Sequence, residues 1–190
     1  MKKPTHRIFF AVELDSIVKT KLLSFQDRLL SIDANPVNAE NFHITLCFLG
    51  DVSEPKIESI MDGLISPSMA PFKASIKHPL YFSNSKIMGL EVDQGKDQLA
   101  QLKNHIERQL NSIAHFGLEK KVFKPHLSLF RKVESLPENL PVFEQELLVD
   151  SFCLMASIPT RKSVRYEIIE EWRLNKKQSV KESLIGSKKI

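Results

Sequence analysis

Two short segments of this 190-residue chain carry the same order of side chains. In Phe42-His43-Ile44-Thr45-Leu46, and again in Pro125-His126-Leu127-Ser128-Leu129, a histidine and a small hydroxyl residue flank one apolar residue. A strand sends successive side chains to opposite faces, so His43 shares a face with Thr45, and His126 with Ser128. One such copy reads as an ordinary strand histidine. Two copies make a set of parts suited to acid–base chemistry on a phosphate. Imidazole titrates near neutrality, so one ring can be neutral while the other is charged. The neutral ring can take a proton from a nucleophile, and the charged ring can give one to a leaving oxygen. Set on opposite sides of a phosphorus, the two support in-line displacement. The Thr45 and Ser128 hydroxyls would then donate to the non-bridging oxygens, whose charge must be stabilised in the transition state.

Competing site chemistries lack their parts. Neither motif has H-E-x-x-H or a nearby Cys/His partner for zinc, and the chain offers no acidic cluster of the two-metal kind. No G-x-S-x-G turn is present for a serine nucleophile, and six glycines leave no Gly-rich phosphate loop. No metal or other cofactor is expected. His6, His78, His105 and His115 read as surface or packing residues. Cys47 and Cys153 lie far apart with no C-x-x-C pair. Cys47, two residues after Thr45, is expected on the His43 face, filling space beside the site.

The formal net charge is +4, and residues 175–190 alone carry that excess, with five lysines against Glu182. The rest of the chain is neutral overall, so anion binding must be local rather than a whole-protein field. One local cluster surrounds the second motif: Lys120, Lys121, Lys124, Arg131 and Lys132, opposed by Glu119. It reads as a phosphate contact zone. Arg131 poses a question of parity. It lies five positions after His126, which in a regular strand is the opposite face. Either a bulge or strand end redirects it, or it supports the site from outside.

The elements that must hold these residues follow from pattern. Arg7 to Leu14 is rich in strand formers, Asp15-Ser16 caps a helix, and Val18, Leu22, Leu23, Phe25, Leu29 and Leu30 recur at helical spacing. Asn35-Pro36 ends that helix. A strand over 42–49 ends at Gly50-Asp51, and a helix follows from Glu54 to Leu64. Residues 72–82 and 87–92 read as a hairpin joined through Ser83-Asn84-Ser85-Lys86. Leu99, Leu102, Ile106, Leu110 and Ile113 mark a long amphipathic helix from Lys96 to about His115. A strand over 126–130 follows, then closing strands over 146–155 and 164–174.

The chain therefore describes itself twice, as strand, helix, and strand bearing His43, then strand, helix, and strand bearing His126. This predicts an α+β class: a two-lobed, pseudo-symmetric fold of antiparallel sheets with outer helices around a central cleft. Residues 1–174 are expected to form a single bilobal domain, with 175–190 a basic tail. No apolar run reaches the length of a membrane span, and the N-terminus lacks the core of a signal peptide. A cytoplasmic monomer is the expectation.

With those residues in view, the doubled His-x-Thr/Ser-x signature resembles the 2H phosphoesterase superfamily. More narrowly, the chain is similar to the RNA 2′,3′-cyclic phosphodiesterases, historically called 2′-5′ RNA ligases. The resemblance runs through residues 7–14, 40–50 and 123–131, and Arg165-Tyr166 fits it too. It implies a metal-free enzyme that opens a 2′,3′-cyclic phosphate at an RNA 3′ end or on a small nucleotide, leaving a 2′-phosphate. It also implies His43 as proton donor, His126 as proton acceptor, and Arg131 on the phosphate, beside Lys124, Thr45 and Ser128. Ser128 stands where threonine is more usual and keeps the hydroxyl; Cys47 stands where a basic residue is common. Two other readings stay open: action on a different cyclic phosphate or a 2′-5′ linked oligonucleotide, and a non-catalytic RNA-binding module.

Overall fold

Thr5–Glu13 forms the first strand, β1, and its alternation serves two apolar faces at once. Ile8, Phe10 and Val12 enter the main core, while Phe9 and Ala11 join a smaller cluster with Cys153, Met155 and Tyr166 on the opposite face. Asp15 then accepts a hydrogen bond from the Val18 amide at 2.8 Å and starts α1 (Ser16–Asp27), which buries Val18, Leu22 and Phe25. The computed structural model describes residues 4–29, 33–118, 121–136, 140–161 and 163–175. After α1 come β2 (Asn35–Pro36), a 3₁₀ turn at Ala39–Asn41, β3 (His43–Ser53), α2 (Glu54–Gly63), β4 (Phe72–Phe82) and β5 (Ile87–Val92). They are followed by α3 (Lys96–Ile113), β6 (His126–Arg131), β7 (Gln145–Val149), β8 (Ser151–Pro159) and β9 (Val164–Arg173). The expected basic tail lies, apart from Asn175, outside the described residues, as do Glu119 and Lys120 of the charged cluster.

All strand pairings are antiparallel, in the order β7-β4-β5-β6-β3-β1-β8-β9, with β2 beside β6. That order is a palindrome of roles about the β6–β3 junction. The strand before each helix, β5 or β1, lies outside a histidine-bearing strand, β6 or β3. The expected lobes are therefore present, and their sheets join into one. The junction is narrow, since Ile44 and Leu127 form the one paired position between β3 and β6. Where β3 leaves, β2 takes its place, with Asn35 opposite Arg131 and Pro36 opposite Phe130. Leu99, Leu102, Ile106 and Leu110 of α3 are fully buried, each stabilising the fold by about 1.5–3 kcal/mol.

Three elements differ from the pattern reading. α1 ends at Asp27 rather than at Asn35-Pro36, which instead forms β2 against β6. β3 does not end at Gly50 but runs on to Ser53. Leu49 is an extra residue against β1, and Gly50 takes φ +73°, a left-handed conformation in which glycine pays no Cβ penalty. The stretch 146–155 is two strands rather than one. β7 pairs with β4, β8 pairs with β1, and the chain crosses between lobes at Asp150, whose carbonyl accepts from the Leu174 amide at 2.7 Å. No Gly or Pro marks that crossing; only Asp150-Ser151 separate the apolar runs 147–149 and 152–155.

Candidate active site

The pairing of Ile44 with Leu127 sets the geometry of the site. Both are fully buried on the core face, so their neighbours project from the other face. Continuing the antiparallel register by one residue each way sets His43 across from Ser128 and Thr45 across from His126. The result is a square of two imidazoles and two hydroxyls with each histidine on a diagonal. A pocket of about 200 Å³ has both Thr45 and His126 in its lining. The strand pairing sets the two motifs side by side at the centre of one sheet, while His43 lines a second pocket with Glu13, Asn41 and Tyr166.

Each histidine is anchored in the same way. His43 Nδ1 donates to the Asn41 carbonyl at 2.6 Å, and His126 Nδ1 donates to the Lys124 carbonyl at 2.8 Å. A carbonyl only accepts, so Nδ1 carries the proton in both rings and Nε2 is the working edge. In this structure His43 Nε2 lies 2.8 Å from Thr45 Oγ1. Burial lowers the His43 pKa to about 4; the Asn41 carbonyl opposes the shift, and the positive charge of Arg131 and His126 adds to it. His126 is lowered as well, chiefly by burial and further by Arg131, against the Lys124 carbonyl. Each imidazole is therefore neutral at pH 7.

The parity of Arg131 is settled by a bulge. Gly89 pairs with Ser128 while its neighbour Met88 pairs with Phe130, which leaves Leu129 as an extra residue in β6. Phe130 turns to the core and Arg131 returns to the histidine face. There its Nη2 reaches the Tyr166 hydroxyl at 3.5 Å. The Leu129 carbonyl is occupied by the buried Gln26 side chain of α1, whose Nε2 donates to it at 2.7 Å and to the Val37 carbonyl at 3.0 Å. The Val37 amide also donates to Leu129 at 2.8 Å. A buried amide from the first helix thus satisfies the carbonyl that the bulge displaces.

β3 has the matching bulge. Ala11 pairs with Thr45 and Phe10 with Cys47, leaving Leu46 extra. The bulge takes Cys47 out of the simple alternation with Thr45 and pairs it with Phe10, yet it still fills space beside the site, lining the pocket that holds Thr45 and His126. It is buried against the main core, where burial, aided by Glu107, pushes its thiol up to about 12. The residue that does return to the site is Phe48, paired with Phe9 at 5.7 Å between ring centroids and 53% exposed. Phe48 stands five positions after His43, as Arg131 stands five after His126. The repeat therefore maps an aromatic ring on one wall onto a cation on the other.

Lys124 lines the pocket beside His126 with an exposed side chain. Other residues support the histidines in ways their types and spacing do not reveal. Tyr166 of β9 packs edge-on against His43 at 5.2 Å and against Phe9 at 4.9 Å. Asn41 grips β9, donating to the Val164 carbonyl at 2.7 Å and accepting from the Tyr166 amide at 3.0 Å. Lys19 of α1 pairs with Glu13 and donates to the Glu40 carbonyl at 2.9 Å, which ties the helix to the turn before His43. Phe82 of β4 lies 4.6 Å from the His126 ring. Only the offset of Phe48 could have been found from the repeat, because the others act across long separations or through backbone carbonyls.

The chain and its fold have known relatives. Residues 12–87 match the family model described as LigT like Phosphoesterase. The RNA 2′,3′-cyclic phosphodiesterase of Archaeoglobus fulgidus is 30% identical over 172 residues, covering 85% of this chain and 96% of that protein. The protein of the same name from Escherichia coli K12 is 29% identical over 177 residues, covering 92% and 99%. Among solved structures, that of E. coli LigT complexed with 3′-AMP superposes with a TM-score of 0.79 at 27% identity, covering 90% of this chain and 98% of the other.

Proposed function

The chain belongs to the LigT-like phosphoesterase family, with the RNA 2′,3′-cyclic phosphodiesterases as its relatives, and from that premise we propose that it hydrolyses 2′,3′-cyclic phosphates at RNA 3′ ends or on small nucleotides. The observation that carries the mechanism is the matched anchoring of the two histidines. Both hold Nδ1–H on a carbonyl two residues upstream, and both lie on one face with Arg131. In the proposed reaction water attacks phosphorus and its proton goes to Nε2 of neutral His126. The bond from phosphorus to the 3′-oxygen breaks, and that oxygen takes the proton from Nε2 of protonated His43. A 2′-phosphate remains, and the two rings have exchanged protonation states, to be reset through solvent. The donor role for His43 and acceptor role for His126 follow the family resemblance.

Thr45, Ser128, Lys124 and Arg131 hold the non-bridging oxygens in this reading. The substrate itself helps to create the acid. A phosphodiester brings negative charge next to Arg131 and the histidines, which offsets the repulsion and stabilises one imidazolium. Both histidines come from one chain, so the site is complete in a monomer.

Product analysis on an oligonucleotide ending in 2′,3′-cyclic phosphate tests the reading. A 2′-phosphate end is the expected product, a 3′-phosphate would reassign the leaving oxygen, and no reaction would overturn the activity. Both proton transfers run through imidazoles, so EDTA is expected to leave turnover intact. Loss of activity that zinc or magnesium restores would sink the route.

The pH dependence follows from burial. In the free enzyme both pKa values lie below the ordinary 6.5, that of His43 at about 4. The competent state needs one ring protonated, and kcat/KM reports the free enzyme. Its alkaline limb is therefore expected to begin below pH 6.5. In kcat the limb moves to higher pH, because bound phosphate stabilises the imidazolium. A kcat/KM that still rises through pH 8 would contradict this assignment.

A further inference from the structure

Gln26 is a buried side chain that packing alone does not explain. Among the described residues it is one of two buried polar side chains, the other being Ser75 of β4. It falls in the apolar stripe of α1, between Leu22 and Leu29, where a leucine would pack as well and need no partner. Its amide instead bridges two strands. Nε2 donates to the Leu129 carbonyl at 2.7 Å and to the Val37 carbonyl at 3.0 Å, so one group ties α1 to β6 and to the chain leaving β2. The strand pairing at that place is thin without it. β2 is two residues long, and one of them, Pro36, has no N–H to give to the ladder. The Val37 amide adds one bond, to the same Leu129 carbonyl. Arg131 stands two residues further along β6. Its contact with the Tyr166 hydroxyl is long, at 3.5 Å, so the bulge at Leu129 sets the face it occupies, not that contact.

We propose that Gln26 is a positioning residue for phosphate recognition: it fixes the β6 bulge and thereby holds Arg131 on the face of the two histidines. The inference rests on the cyclic phosphodiesterase reading, in which Arg131 meets the phosphate, and deepens it by naming a residue outside the site on which that contact depends. Without the bulge, two-residue alternation sends Arg131 to the face opposite His126. Freeing the Leu129 carbonyl from Gln26 lets β6 relax toward that alternation. The guanidinium also acts on the imidazoles, since its positive charge lowers the pKa of both His43 and His126. Displacing it therefore has two signatures: weaker phosphate binding, and rings that take up their protons at higher pH. The other charges near the rings are held elsewhere. Lys19 lies two turns from Gln26 on α1, where Glu13, opposite His43 in β1, and the Glu40 carbonyl hold it. Lys103, Glu107, Lys121 and Lys124, which line the pocket beside His126, are set on α3 and on the segment before β6, apart from the bulge.

Gln26→Met, unbranched, close in volume and unable to donate, tests the proposal. Ser75→Ala, which loses a buried bond from the Gln94 amide in β4, is the control. Each folded variant is read by kinetics on adenosine 2′,3′-cyclic monophosphate, by titration with adenosine 2′-monophosphate, and by NMR titration of the imidazoles. Gln26→Met is expected to raise KM and the Kd of the 2′-monophosphate about tenfold, the scale of one hydrogen bond to a charged group. Both imidazole titrations should move to higher pH. Combined with Arg131→Ala, it should leave KM where Arg131→Ala alone puts it, because the two changes remove the same contact. Ser75→Ala should lower the thermal midpoint and leave KM and both titrations in place. Gln26→Asn, whose amide is one carbon–carbon bond shorter and cannot span both carbonyls, should act in the same direction, and it serves where Gln26→Met does not fold. Unchanged KM, Kd and titrations in a folded Gln26 variant would overturn the positioning role and leave the hydrolytic reading in place. Additive losses in the double variant would overturn it too. Absence of hydrolysis by the original protein, with Kd and titrations shifting as expected, would overturn the hydrolytic reading and uphold the role of Gln26. Absence of both would overturn both.

Discussion

Replacing His43 or His126 with alanine is expected to lower kcat by roughly 10²–10⁴, the range for one general acid or base. The geometry makes that expectation specific. Each ring is held through Nδ1 by the backbone two residues upstream, so alanine removes the Nε2 edge and leaves the strand's own pairing in place. Neither variant should lose KM to the same degree, because Arg131, Lys124, Thr45 and Ser128, the residues proposed to hold the phosphate, are unchanged. The double variant should fall little further than the worse single one, since an acid and a base that serve one displacement act as a unit. Thermal midpoints recorded beside the rates separate lost chemistry from lost folding. Near-normal kcat in both folded single variants would refute the two-histidine mechanism.

That these histidines could be found without coordinates reflects a local rule, the two-residue period of a strand. His43 with Thr45 and His126 with Ser128 obey it because neither pair spans a bulge. The rule fails one residue later in each strand. Leu46 and Leu129 are extra residues, so the alternation is reset and Phe48 and Arg131 arrive on the site face. Nothing at Leu46 or Leu129 announces this, for neither has Gly or Pro beside it. The β6 bulge is met by partners far away in sequence, the Val37 amide and the Gln26 side-chain amide, the latter buried in a helix whose apolar spacing it interrupts. The helices and the hairpin were legible because capping and periodicity are local. The crossing at Asp150 was not, because the choice between β4 and β1 as partner is made by sheet order.

Gly89→Ala is expected to be the most damaging small substitution in the site's framework, costing about 3 kcal/mol or more. Gly89 sits in β5 opposite Ser128, at the step where Leu129 bulges out of β6. A Cβ there would lie 2.0 Å from the Leu127 carbonyl oxygen, 2.9 Å from its carbon and 3.1 Å from Ser128 Cα. These are backbone atoms of the strand that carries His126, so no rotamer change relieves the clash. β5 must move away from β6, and the movement falls on the peptide between Leu127 and Ser128. Two losses should therefore appear together. For a chain of this size the thermal midpoint should drop by about 6–12 °C, at roughly 2–4 °C per kcal/mol. The fraction still folded should turn over more slowly, because Ser128 and the Ile44–Leu127 junction shift with the strand. Gly117→Ala is the control, since a Cβ at Gly117 meets nothing within 4 Å and should change stability by no more than about 0.5 kcal/mol. If Gly89→Ala melts with the original protein, the close approach of β5 to β6 is wrong, and with it the bulge that turns Arg131 toward the histidines.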